Sequence, residues 1–340
     1  MSRIYLDHNA TAPLRPESRA AMIAALDVVG NPSSVHAEGR AAKKLVEHAR
    51  DEVAAALGCL PQEVIFTSGA TGAAQVMRGY AAEVDPTAHD ALWAQRGGEG
   101  PPLQAMGLAN SETGVISPVP TAAERAGALL LLDVTQAIGR VPFSFAWSGA
   151  EMAILSAHKL GGPKGVGALI LRQGVEIDPL ARGGGQEMGR RAGTQNVAAI
   201  AGFGAAIRAA MRDLEAGLWD EIKKLRNILE LTIEDSAPET IFVGNAEARL
   251  PNTSCLITAG WKGETQVMQM DLAGFAISAG SACSSGKVQP SRVLRAMGFD
   301  EAQAASAIRV SLGHETTEDE IRRFAEAWLR AKEKHRARAA

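Results

Sequence analysis

A chain of 340 residues is longer than one hydrophobic core usually serves, so one large and one smaller domain are expected. With 46% hydrophobic but only 4% aromatic residues, the core must be built from Ala, Val, Leu and Ile. A net charge of -3 with mixed signs gives no reason to expect nucleic acid or a membrane surface as the main partner, and leaves small molecules and proteins. The N-terminal MSRIYLDHNATAPLRPE holds no apolar signal-type run, and no stretch approaches the ~18 apolar residues of a spanning helix, so a cytoplasmic protein is expected. Cys59, Cys255 and Cys283 lie far apart, which suggests neither a zinc pair nor a disulfide framework; a cysteine with a special role would act as a thiol.

In chain order, residues 3–7 alternate as a short strand, and Pro16 opens a helix over 17–28. The polar loop 30–36 leads into an Ala-rich helix over 37–57 with its apolar residues at helical spacing. The strand 63–67 runs into Ser68-Gly69-Ala70-Thr71-Gly72 and a helix over 73–82. Such a turn offers backbone N–H groups and the Thr71 hydroxyl to a phosphate, and equally permits any tight strand-to-helix connection. Residues 84–96 carry His89 and a helical stub, preceded by a poor strand around 82–88 that contains Pro86. GGEGPP then breaks the chain before a strand over 103–109. After the polar cap 110–114 and a helix of one to two turns comes the buried strand 128–134. Asp133 ends that apolar run, where an unpaired carboxylate is costly, so it requires a cation or donor.

In residues 152–167, MAILSAHKLGGPKGVG, an apolar strand stops at Ser156-Ala157-His158-Lys159 and glycines lead to a strand over 165–171. In an α/β sheet that ending puts an amine at the carboxyl edge, where ligands bind. Strands alternating with helices indicate a mostly parallel sheet of the α/β class. Residues 182–194 form a Gly/Arg loop suited to an anion, and 196–226 one long helix bridging to a smaller α+β unit. That unit has strands over 241–243, 254–257, 276–278 and 308–311, and helices over 265–272, 291–297 and 317–332. Its loop 278–287 has little side-chain bulk, so Cys283 is expected to be exposed. Arg309 interrupts an apolar strand and is suited to a carboxylate. Taken together, a lysine for a Schiff base, a carboxylate for a pyridinium nitrogen, an aromatic ring and a phosphate cup are the parts that hold pyridoxal 5'-phosphate.

The motifs YLDHNATAP (5–13), GNPSSVHAEGR (30–40), FTSGAT (66–71), ANSETGV (109–115), LDVTQA (132–137), LSAHKLGGPKGVGAL (155–169), GGGQEMGRRAGTQN (183–196), SAGSACSSGK (278–287) and IRVSLG (308–313) run nearly end to end. In that order they resemble the cysteine desulfurases of the class V aminotransferase superfamily, long-loop branch. The resemblance implies a fold type I α/β architecture, with a large pyridoxal-phosphate domain over 12–215 and a small α+β domain from 1–11 and 216–340. It implies that Lys159 carries the cofactor and moves protons at the substrate Cα, that His89 stacks on the ring and Asp133 pairs with its nitrogen, and that Gln136 and Ser111 serve the phenolic oxygen. Ala70, Thr71, Ser156 and His158 would hold the phosphate with Thr194 of a second copy, which makes a homodimer. Arg309 and Asn31 would grip the carboxylate of L-cysteine. Cys283 would take the sulfur as a persulfide and pass it to an acceptor such as an iron–sulfur scaffold, leaving L-alanine.

The sequence departs from the family pattern after His89, where GGEGPP replaces a longer segment. An edge strand and its helix are therefore expected to be absent, leaving six rather than seven strands. Ser111 stands where the family has an Asn, Gln195 where it has Glu, and Arg292 where His is frequent. Two other activities use the same parts: a homologue that keeps the fold for binding alone, and a selenocysteine lyase or other carbon–sulfur lyase.

Overall fold

The computed structural model describes residues 3–280 and 290–339. In chain order these form β1 (Ile4–Tyr5), α1 (Pro16–Leu26), α2 (Ala37–Leu57), β2 (Val64–Thr67), α3 (Ala70–Ala73), β3 (Ala81–Val84), α4 (Asp90–Trp93), β4 (Pro102–Gly107) and β5 (Leu129–Asp133). Next come β6 (Met152–Ser156), β7 (Gly167–Leu171), α5 (Val197–Glu215), α6 (Leu218–Ser236), β8 (Ile241–Phe242) and β9 (Thr253–Ile257). The chain continues with α7 (Gly263–Leu272), β10 (Phe275–Ala276), β11 (Ser278–Ala279), α8 (Arg292–Ala296), α9 (Glu301–Ala305), β12 (Ala307–Ser311) and α10 (Glu318–Ala339). They divide between two compact units: Thr11–Ala109 with Ser117–Ala216, and the described residues of Met1–Ala10, Asn110–Ile116 and Gly217–Ala340.

The larger unit is built on a six-stranded sheet in the order β2-β7-β6-β5-β4-β3, the strand number expected from the shortened segment. β7 runs antiparallel to both its neighbours, and the β6-β5-β4-β3 ladder is parallel. β6 and β7 are buried at every residue, which is why they read as unbroken apolar runs rather than as alternating ones. One face packs Ile65, Met77, Leu92, Leu103, Leu131, Ile154 and Leu169 into a core of aliphatic side chains, as the low aromatic content required. α2 is stopped at both ends by its own sequence. His36 Nδ1 accepts the Gly39 N–H at 3.3 Å at the start, and Gly58 adopts φ +64° at the end.

The segment after α4 shows how the sheet closes without a further strand. Gly97 exchanges two hydrogen bonds with Ala82 of the edge strand β3, at 2.9 and 2.8 Å, so the link runs back along that edge and covers part of it. Gly98 and Gly100 have φ +88° and +131°, and a Cβ on them would lie 2.7 Å from the Tyr80 carbonyl oxygen and 2.4 Å from that of Gly79. Only glycine fits there, which is the physical reason for the GGEG run. Gly100→Ala is expected to lower stability by about 1–3 kcal/mol, seen as an earlier thermal unfolding transition. An unchanged transition would show that the link is not held against the edge.

Several expected elements differ. The helix over 73–82 is instead α3 followed by a 3-10 stretch, Ala74–Gly79, ending before β3. The poor strand around 82–88 is the short β3, which stops before Pro86. The helix expected after residue 114 is a series of turns. The long helix over 196–226 is two, α5 and α6, because Gly217 takes φ +74° between them. The strand over 276–278 is two pieces in different sheets: β10 pairs with β1, and β11 with β12. The smaller unit's main sheet has the order β11-β12-β9-β8. Residues 110–116, expected in the large domain, belong to this smaller unit. Ile116 N–H donates to the Ala248 oxygen and Leu250 N–H to that of Gly114, both at 2.8 Å.

Candidate active site

The carboxyl edge of the large sheet gathers most of the expected residues. Asp133 ends β5 in register with Ile154 of β6, and β6 itself ends at Ser156, followed by a 3-10 turn, Ala157–Lys159. On the other side of β6, Ser156 pairs with Gly167 of β7, which in turn pairs with Thr67 at the end of β2. A Cβ on Gly167 would lie 2.7 Å from Gly69 Cα, so the turn after β2 and the start of β7 approach at backbone distance. Ser156 Oγ accepts the Ala70 N–H at 2.8 Å, so two residues expected as separate phosphate ligands are bonded to each other. Thr71, next to them, is exposed.

Asp133 is buried, and its Oδ1 accepts the Thr135 N–H at 2.9 Å. Among the described residues no arginine or lysine pairs with it, so the carboxylate still lacks the cation that its burial calls for. Thr135 Oγ1 is buried beside it and has no hydrogen-bond partner among the described residues. Gln136 is buried one residue on, and Arg140 donates to its Oε1, which fixes Nε2 as the donor end of the amide. The same Arg140 donates to the Lys159 carbonyl oxygen at 2.8 Å and so ties the lysine's backbone to the Asp133–Gln136 segment. His89 caps α4 beyond the end of β3. Its Nδ1 accepts the Ala91 N–H at 3.1 Å, which assigns the proton of the neutral ring to Nε2.

His158 Nδ1 lies 3.2 Å from Thr11 Oγ1. Burial, followed by the charges of Lys159 and Lys164, pushes its pKa down to about 4 from 6.5. The ring is therefore neutral at neutral pH and not a cation. The folded state binds fewer protons than the unfolded chain between those two values, so stability from this group is complete above the unfolded pKa and is lost as pH falls toward about 4. His158→Gln is expected to lose less thermal stability than the wild type between about pH 7.5 and about pH 5. Equal losses would show that His158 is not held neutral.

Asn31 and Thr194 lie on two exposed loops of the same unit, and Gln186 Nε2 joins those loops by donating to Ser33 Oγ at 3.3 Å. Their support is a buried ion pair that was missed in the sequence. Arg50 Nη1 donates to Glu187 Oε2 at 2.9 Å, and the same oxygen accepts the Phe66 N–H at 3.0 Å. Burial opposes the charge of Arg50, but Glu187 and Glu47, both bonded to it, together outweigh burial and raise the pKa. Gln195 Nε2 donates to Glu187 Oε1 at 2.8 Å, so the residue that replaces the family's Glu is a donor placed against a carboxylate, where a second carboxylate would be repelled. An arginine among Val46, Ala49 and Val53 on the apolar face of α2 was the available signal, since such a charge demands a partner.

In the smaller unit, Arg309 on β12 donates from Nη1 to the Ser111 carbonyl oxygen at 3.0 Å and from Nη2 to Asp7 Oδ1 at 2.7 Å. Ser111, expected beside a cofactor ring, thus supplies its backbone oxygen to the arginine. Cys283 lies outside the described residues. The other two cysteines are not candidates for a nucleophile: burial is the first cause that pushes both Cys59 and Cys255 up to about 12.

The family model described as Aminotransferase class-V matches residues 4–92 and 98–324. The chain belongs to the class-V aminotransferase family. The unmatched gap, 93–97, runs from the last residue of α4 into the link along β3, and the match resumes beyond it. Among curated members of related sequence, a cysteine desulfurase of Cereibacter sphaeroides is 40% identical, covering 96% of this chain and 95% of that protein. One from Frankia sp. (strain EuIK1) is 39% identical, covering 96% and 91%. Among solved structures, a NifS-like protein from Rickettsia africae superposes with a TM-score of 0.88 at 31% identity, covering 97% of this chain and 99% of that one.

Proposed function

We propose that this class-V family member is a pyridoxal-phosphate-dependent cysteine desulfurase, converting L-cysteine to L-alanine and holding the sulfur as a persulfide on Cys283. The observation that carries this is the buried Asp133 carboxylate, with no cationic partner among the described residues, on the same sheet edge as Lys159, with the Thr135 hydroxyl beside it likewise without a partner among those residues. Those residues fit pyridoxal 5'-phosphate: Asp133 for a protonated ring nitrogen, Lys159 for the aldehyde, and Thr71, Ser156 and His158 for the phosphate. When bound, the cofactor supplies an electron sink that acidifies the substrate Cα–H and allows the Cβ–S bond to break. Lys159 would move the proton at Cα, Asp133 would keep the ring nitrogen charged, and His89 and the Gln136 amide would hold the ring.

Arg309, with Asn31, binds the substrate carboxylate. The Cys283 thiolate attacks the substrate sulfur; an S–S bond forms, the Cβ–S bond breaks, and the electron pair left on Cβ takes a proton to give the methyl group of L-alanine. A protein acceptor, such as an iron–sulfur cluster scaffold, then receives the sulfur. Two copies form a homodimer in which Thr194 of one completes the phosphate cup of the other. The exposure of Ile23, Leu26, Val29 and Val35, on α1 and the loop after it, supports a further protein surface there. No described helix is long and apolar enough to cross a membrane, and we place the enzyme in the cytoplasm, where thiols such as those of Cys59 and Cys255 stay reduced.

The test is to incubate the cofactor-loaded protein with L-cysteine and a reductant and to quantify both products. Alanine and sulfide in equal amounts are expected. Cofactor retained without alanine would favour a homologue that keeps the fold for binding alone.

A further inference from the structure

The backbone of Asp7 is fixed beside β12 by a parallel bridge to Ser311, with Ser311 N–H donating to the Leu6 oxygen at 2.8 Å and His8 N–H to the Ser311 oxygen at 3.2 Å. Both carboxylate oxygens are in use. Oδ1 accepts from Arg309 Nη2 at 2.7 Å, and Oδ2 accepts the Ser278 hydroxyl at 2.8 Å. Arg309 pairs along its strand with Ser278 and Cys255, and its side chain is only 7% exposed. With Nη1 on the Ser111 carbonyl and Nη2 on Asp7, the plane of the guanidinium is set by two acceptors on different segments. Its Nε is buried and has no hydrogen-bond partner among the described residues, so the fork is anchored but not saturated. Tyr5 donates its hydroxyl to the Asp7 carbonyl oxygen at 3.1 Å. Burial, then the Asp7 charge, raise its pKa, so the phenol stays neutral beside the Asp7–Arg309 pair. A guanidinium recognises a carboxylate through the direction of its N–H groups, and a fixed plane is what makes that direction available before the ligand arrives.

We propose that Asp7 is a positioning residue that holds the Arg309 guanidinium in the orientation that takes the substrate carboxylate. This rests on the proposed role of Arg309 in binding L-cysteine. Asp7 touches no reacting atom, so its loss should appear in binding and not in chemistry. In the cofactor-loaded enzyme, Asp7→Ala is expected to raise KM for L-cysteine about tenfold while kcat stays within about twofold. Asp7→Asn, whose amide oxygen still accepts from Nη2, should recover most of that loss. In an Arg309→Ala background, Asp7→Ala should add nothing, because the two act as one unit. The Kd of L-alanine by calorimetry should follow the same order.

If Arg309→Ala raises KM but Asp7→Ala leaves KM and Kd unchanged, or adds its full effect on top of Arg309→Ala, the positioning role is overturned and the role of Arg309 stands. If Arg309→Ala leaves KM unchanged, both fall together. Circular dichroism reports whether Asp7→Ala folds. Where it does not, Asp7→Glu, which keeps the charge but moves the oxygen, decides: a raised KM at constant kcat is expected, and an unchanged KM overturns the proposal.

Discussion

Replacing Lys159 with alanine is expected to lower alanine production from L-cysteine about 1000-fold. The lysine stands at the end of β6, its carbonyl held by Arg140 and its neighbours Ser156 and His158 held by Ala70 and Thr11, so the variant removes an amine from an otherwise braced turn. Two losses combine: the covalent anchor for the cofactor and the base that moves the Cα proton. The first has a readout independent of turnover. Borohydride reduction of the loaded wild-type protein should fix a pyridoxyl group on residue 159, found by peptide mass spectrometry, and Lys159→Ala should carry none. Lys159→Arg should not restore activity, since a guanidinium stays charged at the working pH. Wild-type turnover in the alanine variant would remove Lys159 from the mechanism.

Replacing Cys283 with alanine is expected to lower desulfuration by a similar factor, about 1000-fold, as loss of a nucleophile does, but to leave cofactor content and the borohydride adduct on Lys159 intact. That contrast separates the two halves of the chemistry. The thiolate is the only group in the proposed scheme able to accept sulfur, and Cys59 and Cys255, whose thiols are pushed up to about 12, cannot replace it. After one turnover without reductant, the wild-type peptide carrying Cys283 should gain the mass of one sulfur atom, and the variant should gain none. Cys283→Ser should behave as the alanine variant, because a hydroxyl lacks the thiolate's acidity and nucleophilicity. Equal desulfuration by Cys283→Ala would overturn the persulfide step and favour a carbon–sulfur or selenocysteine lyase that releases its product directly.

Much of the large unit was legible from local pattern. β6 and β7 read as buried strands because every residue in them is apolar or small, and their ends were marked by the first polar residues, Ser156 and His158 on one side and glycines on the other. The missing edge strand was legible as a deletion, and the structure adds how the gap is closed: Gly98 and Gly100 pass within backbone distance of Tyr80 and Gly79. Errors arose where a single residue overrode a helical run. Gly217 splits α5 from α6, and the helix after Gly69 tightens into a 3-10 turn before β3. The strand over 276–278 failed for a different reason. Three residues carry no information about which neighbour each end pairs with, and here the two ends join different sheets.

By itself, then, the sequence determined the α/β class, the order of strands and helices, the carboxyl-edge position of Lys159 and Asp133, and the list of residue types able to hold a cofactor and a thiol. Those follow from periodicity and from spacing within one segment, where the physics is local. Only the tertiary structure decided which polar groups satisfy one another: Arg50 with Glu187, Asp7 with Arg309, Ser156 with Ala70, and residues 110–116 with the smaller unit. The first two pairs span 137 and 302 positions, and no local propensity encodes such a pairing. It arises because a buried charge must find its counterpart wherever the packed backbone brings one within reach.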